Sequence, residues 1–121
     1  MTSTYTPDTW NVVRVSGPGD DPQLPVEKVI GGWRGGYLDG DSWRVNSGIV
    51  QARDLGDVYE FVGYSGSVYV CRKTCEGLLG YAAGVLTQLK ENAVHRGHTI
   101  TVIPAADFVA AYTREESDSL R

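Results

Sequence analysis

The sequence predicts an α+β fold: an antiparallel sheet of about five strands packed with one main C-terminal helix, plus a short extra strand and a terminal helical turn. Three observations carry this. Apolar, partly alternating segments recur from residue 10 to residue 73, punctuated by Gly, Pro and Asp. The period then changes. Leu78, Leu79, Ala82, Val85, Leu86, Leu89 and Ala93 recur at three- and four-residue steps, the spacing of an amphipathic helix. A short strand pattern, Thr99–Ile103, follows and is ended by Pro104.

The first strand is Trp10–Ser16, with Val13 and Val15 on one face and Val12 and Arg14 on the other. Gly17–Pro25 holds three prolines and reads as a loop. Val26–Trp33 is the second strand. The glycine-dense run Gly35–Asp41 reads as a loop between strands. Ser42–Arg53 is a third strand, bulged or bent at Gly48. Leu55-Gly56-Asp57 is a turn. Val58–Tyr64 and Ser67–Lys73 form a hairpin about Ser65-Gly66. Val58 and Val62 lie on one face and Tyr59 and Phe61 on the other, so this strand is expected to be central or covered by another subunit. Thr74 is the expected N-cap of the main helix and Gly97 its stop. The helix carries Gly77, Gly80 and Gly84. Gly80 and Gly84 share a face and invite a close neighbour, the chain's own sheet or a second subunit's helix. Ala105–Tyr112 reads as one or two helical turns and Thr113–Arg121 as a polar, frayed tail.

The 121 residues are expected to form one domain. The net charge is −4, and the bases and acids of residues 33–73 balance, so the acidic excess lies in the flanks. Such a field repels duplex nucleic acid. A small anion remains a suitable ligand, because two or three convergent arginines suffice to hold one. No apolar run is long enough for a membrane span. Met1–Trp10 lacks a basic-then-apolar signal pattern, so secretion is not expected.

Cys71 and Cys75 with His95 and His98 have the residue types of a zinc site. The intervening helix would part the two pairs by about 28 Å, at 1.5 Å per residue. Zinc needs its donors within about 2.3 Å. The expectation is no metal and no cofactor, with Cys71 on a strand and buried. Gly63-Tyr64-Ser65-Gly66-Ser67 departs from a nucleophile motif at its fifth residue and sits in a hairpin instead of a strand-to-helix turn. No phosphate-loop lysine motif occurs. An enzyme reading, nuclease or hydrolase, has the least residue support.

The aromatic and glycine density of residues 31–73 has two readings. In the first, Trp43 and Tyr64 stack on base or ribose faces, Arg34 and Arg44 hold phosphates with Arg72 or Lys73 adding charge, Asn46, Ser47 and Ser65 orient the ligand, and Trp33 and Tyr37 also line the site. In the second, the same rings fill a small core and the glycines shape its turns. Exposure of Trp43 and Tyr64, with the neighbouring arginines held near a cleft or subunit contact, separates the two, since an exposed Trp is uncommon unless used.

Gly31–Ile49, with its Gly-Asp-Ser-Trp-Arg run at 40–44 and Asn-Ser-Gly-Ile at 46–49, resembles small proteins of tailed bacteriophages. So does Gly63–Lys73. The likeness covers about the middle half of the chain. More loosely, the plan is similar to phage sponge proteins of the anti-Thoeris type. That resemblance implies a homo-oligomer in the host cytoplasm that binds a cyclic nucleotide immune signal, such as a cyclic ADP-ribose isomer, and withholds it without cleavage. The alternative is a phage protein that blocks a host or defence protein by direct contact, its acidic flanks suiting a basic surface.

Overall fold

In the computed structural model, residues 3–19, 21–36 and 40–119 are described. The elements in chain order are β1 (Thr4–Tyr5), β2 (Thr9–Ser16), β3 (Val26–Gly36), β4 (Gly40–Val45), β5 (Ile49–Asp54), β6 (Val58–Gly63) and β7 (Val68–Arg72). A 3-10 turn at Lys73–Cys75, α1 (Gly80–His95), β8 (Thr99–Ile103) and α2 (Ala105–Ser119) complete the chain.

The α+β class holds, but the single sheet of about five strands does not. Two four-stranded sheets form, in the orders β1-β7-β6-β5 and β4-β3-β2-β8. The reason lies at residues 46–48. The segment expected as one bent strand, Ser42–Arg53, is two strands in different sheets. Gly48 has φ +137°, a left-handed value that a side chain disfavours, and it turns the chain out of one sheet into the other.

Asn46 secures this crossover. Its backbone N–H donates to the Val29 carbonyl (3.0 Å), and its side-chain Oδ1 accepts the Val29 N–H (2.9 Å). The side chain thus continues the ladder for one step after β4 has ended.

The two sheets face each other across the main core. Trp10, Val12 and Val29 come from one sheet, and Ala52, Tyr59, Phe61, Tyr69 and Cys71 from the other. Ala105, Phe108 and Val109 of α2 close one side. Trp10 is fully buried, and its indole N–H donates to the Arg72 carbonyl (2.8 Å), tying the sheets together at one end. β6 is an inner strand, as expected. Its Tyr59 and Phe61 face the core, while Val58 and Val62 on the outer face stay half-buried.

The opposite face of the β4-β3-β2-β8 sheet carries a second cluster, in which Val13 and Ile30 meet Leu86 of α1. Both faces of β2 are therefore buried, which explains the adjacent valines Val12 and Val13. α1 comes closest at Gly32, where an added Cβ would stand 2.5 Å from the Ala82 Cβ. The close approach is thus not at Gly80 or Gly84, which face open space.

Three further expectations are corrected. Thr74 does not cap α1: it lies in the 3-10 turn, and α1 starts six residues later, with Leu79 at an N-cap that makes no side-chain hydrogen bond. The lead-in is held from β2 instead. Gly77 N–H donates to the Trp10 carbonyl (2.6 Å) and Leu78 N–H to Asn11 Oδ1 (2.9 Å). Part of the glycine run is strand, since β3 extends to Gly36 and β4 begins at Gly40, with a register irregularity between Trp33 and Gly36. α2 is longer than one or two turns and runs on from Tyr112 to Ser119, with no Gly or Pro to interrupt it. Its first N–H, on Ala105, donates to the Glu76 carboxylate (2.8 Å), a remote cap matched to the helix dipole.

The two thiols differ in environment. Cys71 is fully buried, and burial pushes its thiol well above the ordinary value, whereas Cys75 is half-buried. With a thiol reagent, Cys75 is expected to react in the native protein and Cys71 only after unfolding. Fast labelling of Cys71 in a native Cys75→Ser variant would contradict this packing. Among the described residues no helix is long and apolar enough to cross a membrane.

Candidate functional site

The residues singled out in the sequence fall in several places instead of converging on one cleft. Trp43 is 39% exposed. It lies opposite Gly32 in the β3–β4 ladder and shares the sheet face that α1 covers. Arg44, its neighbour, points to the other face, where its guanidinium lies 4.6 Å from the centre of the Tyr5 ring in a cation–π contact. Trp33 is half-buried against the main core. Its indole N–H donates to the Thr6 carbonyl (3.1 Å), and its ring meets Tyr5 edge-on. Tyr37 lies outside the described residues.

Arg34 and Arg72 approach Asp8 from two sides. The Arg34 backbone N–H donates to Asp8 Oδ2 (2.7 Å), and the Arg72 guanidinium lies 3.9 Å from Asp8 Oδ1. Arg34 also lines two adjoining clefts of about 610 and 460 Å³ beside the start of α1, shared with Thr9 and Leu79. Lys73 is elsewhere. Its Nζ donates to Asp54 Oδ1 (2.8 Å) and sits 4.7 Å from the Tyr59 ring centre. That hydrogen bond holds the lysine above its ordinary pKa and the aspartate below its own.

Asn46, Ser47 and Ser65 do come together, and what they join is the two halves of the chain. Ser65 N–H donates to Ser47 Oγ (2.9 Å), and the two hydroxyls are 3.3 Å apart. An added Cβ at Gly63 would meet Asn46 Nδ2 at 3.2 Å and Ser47 Oγ at 3.3 Å, so a side chain there would crowd the joint. The Asn-Ser-Gly segment after β4 and the hairpin between β6 and β7 therefore form one inter-sheet clasp. Asn46 is buried and its carbonyl oxygen is already engaged. Tyr64 projects from the hairpin, 82% exposed.

Residues outside the sequence-derived set complete a different site. Between α1 and its sheet lies a groove of about 530 Å³. Val13, Val15, Ile30, Val45 and Ile100 line its sheet side, Leu86 and Leu89 its helix side, and Trp43 and Lys28 also border it. Arg44 borders it through its backbone, given the placement of its guanidinium. The groove exists because one helix is narrower than the four strands beneath it. Its volume is in the range that holds a small organic ligand. Lys28 pairs in register with Val13, so its side chain leaves the sheet on the groove side, and among the described residues it has no ion-pair partner. The apolar surface with an indole at one border suits a flat ring system, and the lysine suits an anionic substituent. The signal for this groove was present in the alternation of β2 and β3, but nothing in it says that α1 leaves part of the face open.

Among the described residues no cluster of three His, Cys, Asp or Glu side chains is placed to hold a metal ion. No protein-family model matches the chain, and no curated protein or solved structure is significantly similar to it.

Proposed function

We propose that the protein binds a cyclic nucleotide signal, a cyclic ADP-ribose isomer or a cyclic oligonucleotide, in the α1 groove and withholds it without cleavage, as a phage counter-defence sponge. The observation that carries this reading is the part-exposed Trp43 at the border of an apolar groove of about 530 Å³. The indole stacks on a base, Lys28 meets a phosphate, and the apolar floor accepts the faces of the rings. The groove surface supplies valine, isoleucine and leucine side chains for the ring faces of a ligand, with Lys28 as the charged group at its border. The resemblance of residues 31–49 and 63–73 to phage proteins supports the biological setting of this reading, and the dimensions of the groove support a small ligand there.

Calorimetry against a panel of cyclic dinucleotides and cyclic ADP-ribose isomers tests the reading, followed by heat release of the bound molecule. Micromolar or tighter binding with intact ligand recovered is the expected result. Lys28→Glu is expected to weaken binding at least about tenfold, by replacing an attraction with a repulsion. No binding across the panel sinks the proposal, and recovery of a cleaved product moves the protein among the enzymes.

A second reading is inhibition of a host or defence protein by direct contact. It draws on the acidic excess of residues 107–118, where the sequence holds four acids and one base, in a segment whose backbone is α2. A basic protein surface is the partner such a helix fits. Stoichiometric recovery of one basic host protein in a pull-down, lost on charge reversal in α2, would favour it over the sponge.

A further inference from the structure

We infer that the free edge of β8 pairs antiparallel with β8 of a second copy of this chain, joining two four-stranded sheets into one. An unpaired strand edge is a template for another strand, and proteins guard such edges by shortening, covering, bulging or charging them. Three of the four terminal strands here are guarded in these ways. β1 is two residues long. The Val50 carbonyl of β5 accepts the Tyr112 hydroxyl of α2. β4 carries Asp41 and Arg44 and has a register irregularity against β3.

Among the described residues β8 has none of these guards. Thr99-Ile100-Thr101-Val102-Ile103 is uncharged and wholly β-branched, pairs with β2 alone, and leaves Val102 37% exposed.

The occupant is a second copy because the edge is complementary to itself. A two-fold axis through Thr101 sets Thr99 opposite Ile103 and Ile100 opposite Val102, with each side chain on the matching face. No like charges meet within the strand. The charges lie at the ends and have opposite signs. Arg96 precedes β8, while Asp107 follows it in the first turn of α2 and the Glu76 carboxylate sits on the Ala105 N–H. Antiparallel pairing brings the basic start of one strand to the acidic end of the other. This inference does not depend on the ligand reading, since the axis lies at the sheet edge and uses neither Trp43 nor Lys28.

Sedimentation equilibrium of the full chain at micromolar to sub-millimolar concentration tests it. The wild type is expected to be a dimer. Thr101→Lys places two ammonium groups on the axis and is expected to give monomer with unchanged far-ultraviolet circular dichroism. Val102→Lys serves as a second such variant at an exposed position. Arg96→Glu is expected to weaken the dimer about tenfold, and adding Asp107→Lys to restore it. A wild-type chain that stays monomeric overturns the inference. So does a folded lysine variant that remains dimeric, and so does a charge swap that fails to restore assembly.

Discussion

Trp10→Ala is expected to cost about 3–5 kcal/mol of folding stability, which for a domain of this kind is a large share of the total. Three effects add at this residue. The indole is fully buried between the sheets, within about 6 Å of both the Tyr59 and Phe61 rings, so truncation leaves a cavity where three aromatic groups met. The Arg72 carbonyl loses its donor at the end of β7. The Trp10 carbonyl anchors Gly77, so loosening β2 there also loosens the lead-in to α1. Urea unfolding followed by circular dichroism measures the loss. Trp10→Phe, which keeps much of the volume but not the N–H, is expected to fall between wild type and alanine. A loss below about 1 kcal/mol for the alanine variant would mean that Trp10 is not the centre of the main core.

Trp43→Ala is expected to weaken ligand binding by about tenfold to a hundredfold, the range in which removal of one stacking ring falls. Tyr64→Ala is expected to leave binding unchanged. The contrast separates the groove from the wider cleft that the sequence suggests, because both rings are exposed and only Trp43 borders the groove. Neither substitution opens the core, so each variant is expected to keep its thermal midpoint within a few degrees of wild type. Calorimetry with the tightest ligand of the panel gives the comparison. Equal losses at Trp43 and Tyr64 would return the site to the hairpin end of the molecule, and no loss at Trp43 would remove the groove from the proposal.

The elements were legible where one physical rule acted alone. The β2, β6 and β8 boundaries follow from apolar pattern and punctuation, and buried Cys71 follows from its place on a strand. The start of α1 was not legible. The apolar steps begin at Leu78, but the chain from Lys73 to Leu79 is held by Trp10 and Asn11 of β2, contacts across more than sixty residues that no local capping rule contains. The division into two sheets was hidden for a related reason. Gly48 signalled a bend, and whether a bend keeps the chain in its sheet depends on what receives the far side. Here the receiver is the β6–β7 hairpin, clasped through Ser47 and Ser65.

The candidate site divides along the same line. The sequence named Trp43 together with Trp33, Tyr37 and Tyr64, and the strand period set each tryptophan and the arginine after it on opposite faces. Composition also established that the chain carries excess acid in its flanks and has no apolar run of membrane length. Tertiary structure decided the rest. It gave Arg44 to Tyr5, Lys73 to Asp54, Asn46 to Val29 and Ser65 to Ser47, and it brought Lys28 and the α1 leucines to the border of the groove beside Trp43. A strand's alternation states that a side chain lies on one face or the other, but the neighbour it meets there belongs to another segment, and only the packed chain brings that segment near.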